Sequence, residues 1–318
     1  MKVSVVVVTY NHQNYIAECL DSIFRQKVTF DFEVIIGNDH STDRTAEIIE
    51  EYAQKYENLT SYIPPEEKRV FIQGRPTGRY NIISAISRAK GEYIAQLDGD
   101  DFWSDMNKLQ EQVDFLDSNQ NCIACHTWHS YLRMENGNWV EKKAPTKTHG
   151  YSNEKFSDVQ KILENKLRIK SRTVMFRNIV EIPEKFKEVP YGDIGFSILL
   201  GKYGEYGFID EPMAVYRVHE DGLSSSNKDR KHRLVHDRFN LLESFYFAKE
   251  VFGNKYDIVL NKFFAEKMNE IALAKRRSWM AFREVNKRID TLCEKYSMKK
   301  KDFKRIARKA WLKPVKKK

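Results

Sequence analysis

VSVVVVTYNHQNYIAECLDSIFRQ, residues 3–26, decides the fold class. Val3–Val8 is a nearly unbroken β-branched run, as expected for a strand covered on both faces. It ends in the polar Thr9, Tyr10 and Asn11. Tyr15–Gln26 then sets Ile16, Leu20, Ile23 and Phe24 on one helical face. The same order recurs downstream. Phe32–Ile36 reads as a strand ending at Gly37, and Ser41 or Thr42 opens a helix to about Tyr56 with Ala46, Ile49 and Ala53 turned inward. Leu59–Ile63 is a weaker strand, Tyr80–Ala89 a helix, and Tyr93–Leu97 another strand. This alternation predicts an α/β chain with a Rossmann-like, doubly wound, mostly parallel sheet. Ligands of such sheets bind beyond the carboxyl ends of the strands.

Those ends are polar. The first strand delivers Thr9, Tyr10 and Asn11; the second delivers Asn38, Asp39, Ser41 and Asp43; the third, in YIAQLDGDDFW (93–103), delivers Asp98, Asp100 and Asp101. All three groups should line one cleft. Gathered carboxylates at the end of an apolar strand are costly unless a cation neutralises them. Oxygen ligands of this kind select Mg²⁺ or Mn²⁺, shared with substrate phosphates. Gly99 lets the backbone turn and approach a ligand closely. A solvated acidic turn is the plainer reading of Asp-Gly. The strand before it and the two polar strand ends beside it favour a metal–diphosphate site.

Beyond residue 103 the pattern changes. Lys108–Leu116 reads as a helix; Cys122–Trp128, Tyr131–Glu135 and Trp139–Lys143 read as strands, the last two around an Asn136-Gly137 turn. Ser171–Phe176 is a further strand, Ile194–Lys202 a helix and Met213–Val218 an extended run. Asp221–Asn227 is a Gly/Ser-containing boundary before a helical remainder, about 229–297. The division predicted is therefore 1–222 (halves 1–103 and 104–222), a helical extension 223–298 and a tail 299–318.

The 318 residues carry a net charge of +9. Residues 299–318 hold eleven Lys or Arg and one Asp, so the fold itself is near neutral and the basicity belongs to the tail. Phe303, Ile306, Ala307, Ala310 and Trp311 make an apolar stripe there at helical spacing. Such a helix suits an anionic membrane surface; a packed terminal helix or nonspecific nucleic-acid binding are the alternatives, the latter disfavoured. No apolar run reaches the roughly 20 residues that cross a bilayer, and Val3–Val8 lacks a cleavage site. The expected location is cytoplasmic, peripheral on the inner face of the membrane. Four cysteines are too few for a disulfide framework. Cys122-Ile-Ala-Cys125-His126 fits a haem-attachment pattern, but in a strand the two thiols would point to opposite faces; free buried thiols are expected.

VSVVVVTYNHQNYIAECLDSIFRQ, FEVIIGNDHSTDRT and GEYIAQLDGDDFWSDMNKLQEQVDFL resemble the bacterial family-2 glycosyltransferases, and YGDIGFSILLGKYGEYGFIDEPMAVYRVHEDG resembles their acceptor-side half in a branch common among capsule and lipopolysaccharide enzymes. The resemblance covers about residues 2–222. It implies a GT-A fold and inverting, metal-dependent transfer from a nucleotide-diphospho-sugar, UDP-linked on family grounds, to a glycan or lipid-linked acceptor. It also implies residue roles. Thr9, Tyr10 and Asn11 begin the nucleotide pocket, with Tyr10 stacking on the base. Asp39 recognises the base ring, although Asn38 stands where the family usually has a first acid. Asp98 lies near ribose and metal, Asp100 ligates the metal, and Asp101 orients the donor sugar. Asp193 is the catalytic base, and His219 closes over the metal or diphosphate with Arg217 nearby.

Several residues keep two readings. Asp43 reads better as a helix-start acid, and Asp193 could also cap the helix that follows it. Arg75 and Arg79, in a loop, could contact phosphate or simply be exposed. Trp103 packs under the acid motif or lines the sugar pocket. His126, Trp128 and His129 face the acceptor or solvent, and Glu205 and Glu211 are fallback bases. A sugar-nucleotide nucleotidyltransferase would need a glycine-rich basic loop after the first strand, which Thr9-Tyr10-Asn11-His12 lacks. An inactive membrane-surface sugar-nucleotide-binding protein is the remaining alternative.

Overall fold

The computed structural model describes residues 1–72, 74–142, 154–219, 230–275, 287–292 and 294. In chain order the elements are β1 (Val3–Thr9), α1 (Ile16–Phe24), β2 (Phe32–Asn38), α2 (Thr45–Lys55), β3 (Leu59–Tyr62), β4 (Val70–Ile72), β5 (Arg75–Thr77), α3 (Arg79–Arg88), β6 (Tyr93–Asp98) and β7 (Phe102–Trp103). They continue with α4 (Lys108–Ser118), β8 (Cys122–Glu135), β9 (Asn138–Lys142), β10 (Phe156–Ser157), α5 (Val159–Leu163), β11 (Val174–Arg177), α6 (Gly192–Leu200), β12 (Glu205–Val218), α7 (Arg230–Phe252) and α8 (Asp257–Lys275).

One sheet runs β10-β12-β8-β11-β6-β1-β2-β3, with β7 on β12 and β9 on β8. β3, β2, β1 and β6 are parallel. β11 lies antiparallel between β6 and β8, and β12 is parallel to β8. The carboxyl ends of β1, β2, β6 and β12 therefore share one edge, and the start of the reversed β11 arrives at that same edge. Val3, Val5 and Val7 pack on one side of the sheet, and Val6, Ile35 and Ile94 on the other. Helices cover both faces, which is why β1 carries no polar alternation. The doubly wound expectation holds.

Local differences have physical causes. The helix expected from Ser41 or Thr42 starts at Thr45, because Asp43 Oδ1 accepts from both the N–H and the hydroxyl of Thr45. Ala46 is exposed rather than turned inward; Thr45 and Ile49 are the buried positions. The strands expected at 122–128 and 131–135 are one, β8, and the expected strand 171–176 begins as a 3₁₀ turn, Ser171–Thr173. Cys122 and Cys125 do not face opposite ways. The β8–β12 register slips by a residue at Ile123, and both thiols enter the same apolar layer, free and buried. Such a bulge inverts the alternation of a strand.

α7 and α8 share the core of the sheet domain: Phe239, Leu242, Phe245, Leu260, Phe263 and Met268 lie in one apolar layer with Phe186, Phe196 and Ile198. The boundary expected at 221–227 and the tail 299–318 lie outside the described residues. Among the described residues no helix is long and apolar enough to cross a membrane.

Under the acid motif sits a buried polar network. Trp103 is fully buried, as the packing reading required, and its Nε1 donates to Arg172 O at 3.0 Å. Lys108 is also fully buried; its ammonium faces the Trp103 ring at 4.5 Å and donates to Gln112 Oε1, while Gln112 Nε2 donates to Thr173 O at 3.0 Å. Burial pulls the Lys108 ammonium down to about 7. Between there and its ordinary value the unfolded chain binds a proton that the folded chain lacks, so stability rises with pH across that window. Wild type should gain of order 2 kcal/mol between pH 7 and 9 relative to Lys108→Met, measured by urea unfolding at both pH values. Equal pH dependence in the two proteins would mean that Lys108 stays charged.

Candidate active site

The nucleotide-side expectations fall on two left-handed turns. Asn11 (φ 54°) and His40 (φ 62°) follow the ends of β1 and β2, and asparagine and histidine are among the residues that tolerate this conformation best. Thr9 is buried, and its hydroxyl lies 3.1 Å from His12 Nδ1. Asn11 is spent on the neighbouring loop: its N–H donates to Ser41 Oγ at 2.9 Å and its Oδ1 accepts from Thr42 N at 2.8 Å. Asn38 Oδ1 similarly accepts from Ser41 N. Asp43 Oδ2 accepts from Gln13 N, so this acid joins the loops as well as starting its helix. Arg69 joins Asp39 to Tyr10. The Arg69 Nε lies 3.4 Å from Asp39 Oδ1, and its guanidinium lies 5.6 Å from the centroid of the half-exposed Tyr10 ring. Arg69 carried no signal in the sequence; a lone arginine before a short hairpin is ordinary.

The acid motif closes on β1. A Cβ on Gly99 would lie 2.7 Å from Thr9 Oγ1 and 3.0 Å from His12 Nδ1, so only glycine allows this approach. Asp100 Oδ2 stands 3.1 Å from His219 Nε2 and 3.8 Å from His12 Nε2. Burial works against the Asp100 charge, but the hydrogen bond from His219 and the charges of the two imidazoles hold it below its ordinary value. Asp98 is raised by burial and by Asp100. Asp101 is buried with both oxygens occupied: Oδ2 by Arg172 Nε at 2.5 Å and Oδ1 by the Arg217 N–H at 2.9 Å. Burial pushes it up to about 7 against the pull of Arg172. Held from both sides, Asp101 ties the turn before β11 to the end of β12. Arg217 sits between the rings of Tyr15 (4.9 Å), Phe102 (5.3 Å) and Trp139 (5.3 Å), with Nε donating to Asp100 O.

The turn before β11 supplies what the sequence did not. Lys170 Nζ donates to Asp193 Oδ2 at 2.7 Å, Ser171 Oγ to Asp98 Oδ2 at 2.8 Å, and Arg172 Nε to Asp101 Oδ2. Three consecutive residues thus serve three carboxylates. Asp193 stands in the first turn of α6 and is not its N-cap, which is Tyr191; its Oδ1 accepts its neighbour's Ile194 N–H at 2.9 Å. Burial would raise Asp193, but the Lys170 charge and hydrogen bond outweigh it, with help from Arg168.

Arg79 opens α3 and is buried rather than in an exposed loop. Its Nη2 donates to Val189 O at 2.9 Å and its guanidinium covers the Phe186 ring at 4.5 Å. A Cβ on Gly192 would lie 2.6 Å from Arg79 Nη1. Arg79 therefore braces the segment that delivers Asp193. His126 is buried and pulled down to about 4; His129 is half-buried and pulled to about 3, first by burial and then by Arg172 and Lys170. Trp128 Nε1 donates to Asp210 Oδ1. Glu205 lies at the start of β12, opposite the edge that holds Arg217 and His219, and Glu211 is exposed in the same strand, well before its end; neither takes a place beside Asp193.

Among the described residues no group of three or more His, Cys, Asp or Glu side chains is placed to hold a metal ion by itself. The donor set still fits a divalent cation shared with a diphosphate. Two carboxylates are crowded enough for Asp100 to raise Asp98, and imidazoles stand on Asp100. Carboxylate oxygens with few protein ligands suit Mn²⁺ or Mg²⁺.

Known proteins match the chain in sequence and in fold. Residues 4–181 match the model described as glycosyl transferase family 2. An uncharacterized Mycobacterium tuberculosis protein is 31% identical over 230 residues, 72% of this chain; the chain spans 62% of that protein's length. TarS of Staphylococcus aureus, a poly(ribitol-phosphate) beta-N-acetylglucosaminyltransferase, is 34% identical over 126 residues, covering 39% of this chain and 20% of TarS. The crystal structure of TarS 1–349 with UDP-GlcNAc superposes with a TM-score of 0.55 at 20% identity, over 86% of this chain and 79% of that one. The mannosyltransferase PcManGT from Pyrobaculum calidifontis, with GDP-Man and Mn²⁺, gives 0.52 at 16% identity over 96% and 85%. The fold is GT-A. The chain belongs to glycosyl transferase family 2.

Proposed function

We propose that this chain is an inverting glycosyltransferase that moves a sugar from a nucleotide-diphospho-sugar, a UDP-sugar first, to a hydroxyl of a surface polysaccharide or its lipid-linked precursor. The observation that carries this reading is Asp98 and Asp100, with His219 and His12 on Asp100, at the same sheet edge as the Tyr10–Asp39–Arg69 group. Tyr10, Asp39 and Arg69 bind the base. Asp98, Asp100 and His219 would hold Mn²⁺ or Mg²⁺, which offsets the charge growing on the departing diphosphate. Asp193 Oδ2 takes the acceptor's proton during attack. A single displacement inverts the anomeric carbon. TarS, by its name, acts on poly(ribitol-phosphate), so polyol-phosphate polymers are the first acceptors to try here, ahead of lipopolysaccharide. The basic stretch 299–318 fits the same reading, as a lead to the membrane where lipid-linked acceptors lie.

Thermal unfolding with UDP and Mn²⁺, each alone and together, tests it. A nucleotide at 100 times its Kd adds about 2.7 kcal/mol. The pair should stabilise wild type well beyond the sum of the separate effects, and Asp100→Asn should lose that excess. An equal response to UDP with and without the metal would overturn the shared site, and stabilisation by GDP alone would replace UDP.

A further inference from the structure

Asp193 has one oxygen left for chemistry. Oδ1 accepts the Ile194 N–H, so Oδ2 is the oxygen available to an acceptor hydroxyl, and Lys170 Nζ sits on it at 2.7 Å. Isolated exposed pairs of this kind contribute little, and both side chains here are partly exposed (38% and 28%). This pair is not isolated. The backbone behind Lys170 is pinned by Thr173 Oγ1 to Lys170 O at 2.9 Å, by Trp103 Nε1 to Arg172 O and by Gln112 Nε2 to Thr173 O. On the same turn Ser171 and Arg172 hold Asp98 and Asp101.

We propose that Lys170 is a positioning residue for transfer: it fixes Asp193 Oδ2 in place, and the 170–172 turn sets the distance between that oxygen and the acid motif. The inference rests on the reading of Asp193 as proton acceptor. An ammonium carries three N–H donors, so Lys170 can hold Oδ2 and still donate to the oxygen of an arriving hydroxyl. It also supplies the counter-charge. The groups around Asp193 are Lys170 and Arg168 from one loop, Arg79 from α3 and the Tyr191 phenol, which donates to Asp237 of α7. Lys170 is hydrogen-bonded to the carboxylate. Burial alone would raise Asp193, so removing Lys170 moves its titration upward.

The test is kcat/KM against pH with the UDP-sugar that most stabilises wild type in the presence of Mn²⁺, chosen from a panel by thermal unfolding, in wild type, Lys170→Met, Lys170→Arg and Asp193→Asn. Lys170→Met should lower kcat/KM ten- to a hundredfold at pH 6.5 and move the acid limb up by about one pH unit. Lys170→Arg should restore the limb. UDP–Mn²⁺ stabilisation should be unchanged in both, which separates positioning from a folding defect. Should Lys170→Met fail to fold, Lys170→Gln is expected to show the same displaced limb. An unmoved limb in a folded Lys170 variant, with Asp193→Asn inactive, overturns the role of Lys170 alone. Normal turnover in Asp193→Asn overturns the base assignment beneath it.

Discussion

Asp193→Asn is expected to lower transfer about a thousandfold while leaving UDP–Mn²⁺ stabilisation intact. The reason is local. The amide keeps the size of the side chain, and its oxygen can still accept from Ile194 N–H, so the start of α6 is undisturbed. What disappears is the lone pair and charge that take a proton from the acceptor hydroxyl, a contribution commonly worth 10²–10⁴ in rate. Among the described residues Tyr10, Asp39, Asp98 and Asp100 make no hydrogen bond or ion pair with Asp193. Asp193 is itself hydrogen-bonded, among the described residues, to Lys170, Ile194 and Ser197, whose hydroxyl donates to the Asp193 carbonyl. Single-turnover transfer and thermal shift, measured on the same preparation, separate the two effects. Loss of UDP–Mn²⁺ stabilisation would show that Asp193 belongs to the donor site instead.

Arg172→Met should produce the largest loss of stability. Arg172 and Asp101 are both buried, at 8% and 1% exposure, and the guanidinium also covers the Tyr216 ring at 4.1 Å. Methionine removes the cation and leaves the Asp101 carboxylate with the Arg217 N–H alone. Breaking a buried pair on one side costs about 3–5 kcal/mol. For a domain of this size that is roughly a 10 °C fall in Tm. Arg172→Lys should recover little, because a lysine offers neither the Nε–H geometry nor a plane to stack on Tyr216. Adding Asp101→Asn to Arg172→Met should restore part of the loss, since the uncompensated charge is then gone. Calorimetry on wild type, Arg172→Met, Arg172→Lys, Asp101→Asn and the double variant reads this directly; additive effects of Arg172→Met and Asp101→Asn would mean that the pair is not coupled.

Legibility in the sequence followed distance along the chain. Thr9, Asp39, Asp98 and Asp100 were found because each ends a strand whose apolar run is itself visible, and a parallel sheet brings such ends together. Trp103 kept a packing and a pocket reading, and its full burial fits the first. Arg79 was misplaced because an arginine before a helix reads as surface, while here the turn of chain at 186–192 folds over it. Cys122 and Cys125 were put on opposite faces because a one-residue bulge leaves no trace in composition. Arg69, His12, Lys170 and Arg172 were missed altogether. Each is an ordinary residue type at an ordinary spacing, and its meaning lies in a partner between 23 and 88 positions away.

By itself the sequence determined the α/β alternation, the polar edge and the acid motif, since hydrophobic period and strand-end chemistry are local properties that survive into the fold. Only the tertiary structure decided that the chain reverses at β11. That reversal lays Lys170, Ser171 and Arg172 across Asp193, Asp98 and Asp101. Direction of pairing is set by where a strand's neighbours lie in space, and no stretch of residues 170–177 records that the strands beside it are β6 and β8.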